Sequence, residues 1–168
     1  HLSRSPDTPA YLSLHYRLRC LPFALEPHHT DSIVFLGDSM TDNGNWKELF
    51  PKEHVINMGI GGDTTLGVIN RLAQVIAVKP RKLFLMVGTN DLCYNRSIPE
   101  TLENYDYILT QLQASLPNTK IYVESVLPFN DRLFPIHYLR TNDNILQLNE
   151  GIMTLAEKHN LPYLDITS

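Results

Sequence analysis

The chain has 168 residues, a length that suits one domain. It is 43% hydrophobic and 19% charged, an ordinary globular mix, and its net charge of −4 comes without a long run of one sign. That balance argues against nucleic acid or an anionic membrane surface as the main partner, and no apolar run approaches the roughly 18 residues that a membrane span requires.

Residues 1–9 are polar and proline-bearing and read as a loose arm. Residues 10–25, AYLSLHYRLRCLPFAL, carry apolar side chains at helical spacing as far as Pro22, which predicts a short amphipathic helix. Arm and helix, residues 1–31, are read as a segment packed on a domain formed by residues 32–168. After the turn EPHHTDS, strand and helix alternate. A strand is expected over 33–36, part of a helix over 46–50, and a second strand in HVINMG. A helix over 65–78 is stopped by Lys79 and Pro80, and an apolar strand follows over 82–87. A long helix over 98–116 is entered at Pro99. The remaining elements are a strand over 120–126, a helix over 142–158 and a fifth strand over 161–166. This alternation specifies an α/β fold, a parallel sheet with helices on both faces. Ligands of such sheets sit beyond the carboxyl ends of the strands, so functional residues should follow strands directly.

Three strand ends combine glycine with short polar side chains: GDSMTD at 37–42, NMGIGGDTT at 57–65 and GTND at 88–91. Each has an ordinary explanation when taken alone. Asp-Ser-x-Thr after a strand is a common helix cap, Gly-Gly a common turn, and Gly-Thr-Asn-Asp a turn with an N-cap. Together, at three successive strand ends, they supply what acyl transfer needs. Ser39 offers a hydroxyl nucleophile and a backbone N–H at the start of a helix. Gly62 offers an N–H with no side chain to block approach, and Asn90 a side-chain amide donor. These three donors could form an oxyanion hole.

The three blocks, in this order, resemble the SGNH (GDSL-type) esterase and lipase superfamily. KPRKLFLMVGTNDL and IYVESVLPFN resemble its third and fourth strand regions. NMGIGGDTTLGVINRL is most similar to acetylhydrolases, both the catalytic subunits of platelet-activating-factor acetylhydrolase and carbohydrate acetylesterase-like members. The resemblance runs from about residue 33 to 168. It implies a flavodoxin-like three-layer α/β/α sandwich with five parallel strands in the order 2-1-3-4-5. It also implies Ser39 as nucleophile, Gly62 as a backbone oxyanion donor and Asn90 as a side-chain donor. Asp38, Asp63 and Asp91 are read as braces for the three loops.

Serine needs a base to take its proton. The resembled family carries that base in an Asp-x-x-His motif after the fifth strand, followed by a final helix. Here Asp165 is followed by Ile166, Thr167 and Ser168. The expectation is therefore that the catalytic loop and last helix lie outside this sequence, and that these residues by themselves have little or no activity. His28, His29, His54 and His159 fall at the opposite edge of the sheet, and His1 and His15 in the arm and first helix. His137, in the long aromatic loop over 128–142, is on the correct edge, where substrate contact or solvent exposure suits it better than a catalytic role.

The leading expectation is a serine esterase that hydrolyses small acyl esters, acetyl above all, of a carbohydrate or lipid through an acyl-enzyme on Ser39. The alternative is an inactive scaffold that binds an acylated sugar or lipid. No cofactor is expected: GxxxxGK[ST] is absent, GIGGDT is not a dinucleotide fingerprint, and no Cys/His cluster has metal-ligand spacing. Cys20 and Cys93 read as buried free thiols. The first residue is not Met, and neither compartment, secreted and periplasmic included, nor oligomeric state can be read.

Overall fold

The computed structural model describes residues 13–25, 30–128 and 139–167. Five strands form one parallel sheet: β1 (Ile33–Gly37), β2 (Val55–Gly59), β3 (Lys82–Met86), β4 (Lys120–Glu124) and β5 (Tyr163–Leu164). Their order is β2-β1-β3-β4-β5, as the resemblance implied. The helices are α1 (Leu14–Ala24), α2 (Ser39–Asp42), α3 (Trp46–Leu49), α4 (Thr65–Asn70), α5 (Leu72–Val78), α6 (Thr89–Cys93), α7 (Ile98–Ser115) and α8 (Asn142–Lys158).

All five residues of β1 are buried, because a central parallel strand has a covered face on either side. Alternate residues divide between the two faces. Val34, Leu36, Ile56, Met58, Leu83, Leu85, Ile121 and Val123 join the main core, which α1, α4, α5, α7 and α8 complete. On the opposite face Ile33, Phe35 and Val55 pack with Trp46 of α3 and with Phe84. An aromatic row crosses that face: Phe35 stacks on Trp46 at 4.0 Å and on Phe84 at 5.0 Å, and Phe84 on Tyr122 at 4.7 Å. Phe84 and Tyr122 are only half-buried.

The helix ends follow local chemistry. Ser13, Thr64, Ser97 and Thr141 each accept a hydrogen bond from a backbone N–H of the first turn of α1, α4, α7 and α8. Lys79 ends α5 in the left-handed conformation at φ 50°, just before Pro80.

Four differences from the sequence expectation exceed one residue. First, α1 continues through Pro22 to Ala24. The proline falls in the last turn, where Leu25 N–H closes on the Pro22 carbonyl. Second, the single helix expected over 65–78 is broken at Arg71, which leaves helical geometry as its side chain turns into the core. Third, β4 ends at Glu124, because Val126 N–H and C=O are both bonded to the Asn149 amide, and no ladder can continue through them. Fourth, β5 has two residues and both are half-buried, as suits a strand at the sheet edge.

Candidate active site

The turn after β1 places Ser39 as the first residue of α2. The cap is Asp38, whose Oδ1 accepts from Met40 N–H at 3.1 Å. The capping role that Asp-Ser-x-Thr suggested is therefore filled by Asp38. Among the described residues no hydrogen bond engages the Ser39 hydroxyl, which is half-buried.

The loop after β2 is tied to this turn twice. Ile60 N–H donates to the Gly37 carbonyl at 3.0 Å, and Gly61 N–H donates to Asp42 Oδ2 at 2.9 Å. Gly62 has φ +83°, a conformation that L side chains rarely adopt, and a Cβ built on it would meet nothing within 4 Å. The space where a side chain would stand is therefore open.

The loop after β3 closes the arrangement. Asn90, in α6, donates from Nδ2 to the Asp63 carbonyl at 3.0 Å, next to Gly62 in sequence. An amide has two N–H groups, so a second remains for a ligand. Asp91 accepts from Thr65 N–H at 2.9 Å and Thr65 Oγ1 at 2.5 Å, and pairs with Arg96 at 2.6 Å.

In each loop the aspartate is buried and the adjacent expected site residue half-exposed: Asp38 beside Ser39, Asp63 beside Gly62, Asp91 beside Asn90. The three expected site residues thus stand on loops bonded to one another at one edge of the sheet. Burial pushes the Asp38 carboxyl up to about 7. It pushes Asp63 up to about 6, although the Arg71 guanidinium pulls the other way. Asp91 is also raised by burial, against its bonds from Thr65. At the same edge Glu124, the last residue of β4, is 8% exposed, and burial lifts its carboxyl to about 7.

Two residues that hold the loops together were not evident from the sequence. Arg71 is fully buried. Its Nε and Nη2 donate to Asp63 Oδ2 at 3.0 and 2.9 Å, Nη1 to the Met58 carbonyl at 2.5 Å and Nη2 to the Gly37 carbonyl at 3.1 Å. A lone arginine on the apolar stripe of Val68, Leu72 and Val75 was the available signal. Asp42 is the second. Besides Gly61 N–H it accepts from Arg19 Nη2 at 2.8 Å, and its own carbonyl accepts from Asn57 Nδ2 at 3.0 Å. Nothing in the sequence pattern separates it from a surface aspartate.

The described histidines fall as follows. His54 precedes β2 at the far edge, where its carbonyl accepts from Ile33 N–H. His159 follows α8 and lies 2.6 Å from Asp106 Oδ1 and 2.7 Å from Gln113 Oε1. His15 lies on α1. His1, His28, His29 and His137 are outside the described residues, as is most of the aromatic loop over 128–142. Cys20 and Cys93 are half-buried rather than buried. Among the described residues no group of three His, Cys, Asp or Glu could hold a metal ion, and no helix is long and apolar enough to cross a membrane.

A model of the GDSL-like Lipase/Acylhydrolase family matches residues 35–168. Platelet-activating factor acetylhydrolase IB subunit alpha2 of Rattus norvegicus is 31% identical over 140 residues, 80% of this chain and 58% of that protein. The Homo sapiens protein of the same name is 31% identical over 139 residues, 79% of this chain and 58% of its own length. The chain thus spans somewhat more than half the length of the curated relatives it matches. A solved structure from Streptococcus pneumonia superposes with a TM-score of 0.81 at 26% identity, covering 90% of this chain and 75% of that one. The acetyl xylan esterase AlAXEase shares the fold, with a TM-score of 0.67 at 20% identity over 80% of this chain and 77% of that chain.

Proposed function

Because the chain belongs to the GDSL-like lipase/acylhydrolase family, we propose that it hydrolyses small acyl esters, acetyl esters of a carbohydrate or lipid above all, with Ser39 as nucleophile. The observation that carries this reading is the bonded edge of three loops. It leaves the Ser39 hydroxyl without a protein partner among the described residues, and it leaves open space at the Cα of Gly62, next to the Asp63 carbonyl that Asn90 holds. The acetyl preference is supported by the relatives, which are named as acetylhydrolases.

In the proposed reaction the Ser39 oxygen attacks the ester carbonyl carbon while its proton passes to a base. The negative charge that builds on the carbonyl oxygen is met by Ser39 N–H, Gly62 N–H and the Asn90 amide. Ser39 is the first residue of α2, so no carbonyl of the helix takes its N–H, which supports its role as a donor. The alcohol leaves with a proton, and water then attacks the acyl-enzyme to release the acid and restore Ser39. The base of the family reaction, a histidine of an Asp-x-x-His motif, is assigned to none of the described residues.

The experiment is turnover of p-nitrophenyl acetate by the natural full-length protein and by its Ser39→Ala form. A loss of at least about 10³-fold is expected, since removing a nucleophile leaves only binding and the oxyanion donors. Equal rates would remove Ser39 from the chemistry. Equal binding of the ester by both forms, with turnover by neither, would favour the binding-scaffold alternative.

A further inference from the structure

We propose that helix α1 forms one wall of the ester site, with His15 contacting a hydroxylated alcohol portion of the substrate and Arg19 holding the helix in place. The proposal rests on the ester-hydrolase reading above.

The helix is fixed to the site loops along one stripe. Tyr16 is 3% exposed; its hydroxyl donates to the Gly67 carbonyl at 2.5 Å and accepts from Asn70 Nδ2 at 3.4 Å. Arg19 Nη2 donates to Asp42 Oδ1 at 2.8 Å and to the Gly59 carbonyl at 3.0 Å. Phe23 is buried with its ring centroid 5.6 Å from the Arg71 guanidinium. Positions 16, 19 and 23 share one face of the helix, so all three anchors act together. Asp42 links them to the chemistry: one carboxylate oxygen takes Arg19, the other takes Gly61 N–H, and its own helix begins at Ser39.

His15 lies beside this stripe. A Cβ built on Gly61 would stand 3.6 Å from Asp42 Oδ2, 3.7 Å from His15 Nε2 and 3.9 Å from the Ser39 Cβ. Imidazole, carboxylate and nucleophile side chain thus border a single point, open because residue 61 is glycine. A cavity of about 20 Å³ adjoins Gly61 on the side of α1, with His15, Tyr16, Gly62 and Tyr94 in its wall and neither Ser39 nor Asp42 among its lining residues. Its size admits one water-sized polar group. The His15 ring is exposed, and among the described residues no hydrogen bond or ion pair engages it. Imidazole donates at one nitrogen and accepts at the other when neutral, which complements a hydroxyl and not an alkyl chain. The substrate class this favours is an ester whose alcohol bears a free hydroxyl near the acyl group, as a sugar or polyol acetate does.

The test measures acetate release from glycerol monoacetate, which has such hydroxyls, and from propyl acetate, which has none, by the natural full-length protein. In His15→Ala, kcat/KM should fall about 3- to 10-fold more on the monoacetate than on propyl acetate, chiefly through KM. Arg19→Met should lower the same ratio, and Arg19→Lys should restore part of it. Equal effects on both esters, or none, would overturn the role of His15. A second measurement is independent of turnover. The His15 ring signal in the NMR spectrum of Ser39→Ala, assigned by its loss in His15→Gln, should shift when glycerol monoacetate is added. No shift at a saturating concentration would overturn the proposal even where Ser39 proves essential. Turnover that Ser39→Ala leaves unchanged would instead defeat the reading of the chain as an ester hydrolase acting through Ser39.

Discussion

Arg71→Met removes a buried cation and leaves everything that it touched. The Asp63 carboxylate is 1% exposed and loses both bonds to its counter-charge, and the carbonyls of Met58 and Gly37 lose donors. Breaking a buried ion pair from one side costs about 3–5 kcal/mol, and the bond lost at the Met58 carbonyl adds about 1 kcal/mol, while the Gly37 carbonyl keeps its bond from Ile60 N–H. A loss of about 4 kcal/mol or more is therefore expected, a large part of the roughly 5–15 kcal/mol that a domain has in total. The cause can be separated from lost packing. Adding Asp63→Asn removes the orphaned charge, so the double variant should recover at least about 1 kcal/mol over Arg71→Met alone. Protonation does the same. The Asp63 carboxyl is already raised to about 6 with Arg71 present, and losing the guanidinium raises it further. The deficit of Arg71→Met should thus be smaller at pH 5 than at pH 8. Urea denaturation followed by circular dichroism measures all three effects. A single variant within about 1 kcal/mol of the parent, or a double variant no better than the single, would refute the assignment of Arg71 as a structural cation.

Asp38 gives a pH signature of its own. Its folded value of about 7 lies above the ordinary 3.8, so the folded state holds the extra proton between these limits. Stability contributed by this group therefore falls as pH rises from about 4 to 7, by up to roughly 4 kcal/mol. Asp38→Asn should be more stable than the parent at pH 8 and nearly equal to it at pH 4, measured by thermal unfolding at both. Gly67→Ala should destabilise by more than about 2 kcal/mol in urea, because the new methyl overlaps Asp63 Oδ1, which Thr64 N–H bonds directly and Arg71 fixes through Oδ2 of the same carboxylate. Gly151→Ala is the control: its methyl meets the flexible end of Leu102, and helix propensity favours alanine by about 1 kcal/mol, so its loss should be smaller. Gly62→Ala should cost about 1–2 kcal/mol through φ +83° alone, since the space is open; its effect on kcat against p-nitrophenyl acetate tests the proposed oxyanion donor.

Much of the fold was legible because it rests on short-range patterns. An unbroken apolar run such as IVFLG, between turn signals and before a helix, is what a central parallel strand needs. That Ser39, Gly62 and Asn90 fall at one edge was legible for a related reason: a parallel sheet brings the ends of its strands to one edge, so residues far apart in sequence are gathered by topology. The helix break at Arg71 was hidden, because its cause is three partners at positions 37, 58 and 63. The same holds for Asp42, whose partners come from α1 and from the loop after β2.

By itself the sequence determined the alternation of elements, the parallel sheet and the three loops that carry polar residues. These follow from periodicity and from the chemistry of residues adjacent in the chain. Only the tertiary structure decided that Asp38, and not Ser39, caps α2, that Arg71 and Asp42 lock the loops together, and that α1 brings His15 to within reach of the glycine turn. The Arg71, Asp42 and His15 contacts depend on the distance between groups separated by many residues, which packing sets and local pattern does not record; the cap is local, decided by which of two adjacent side chains turns back on the Met40 N–H.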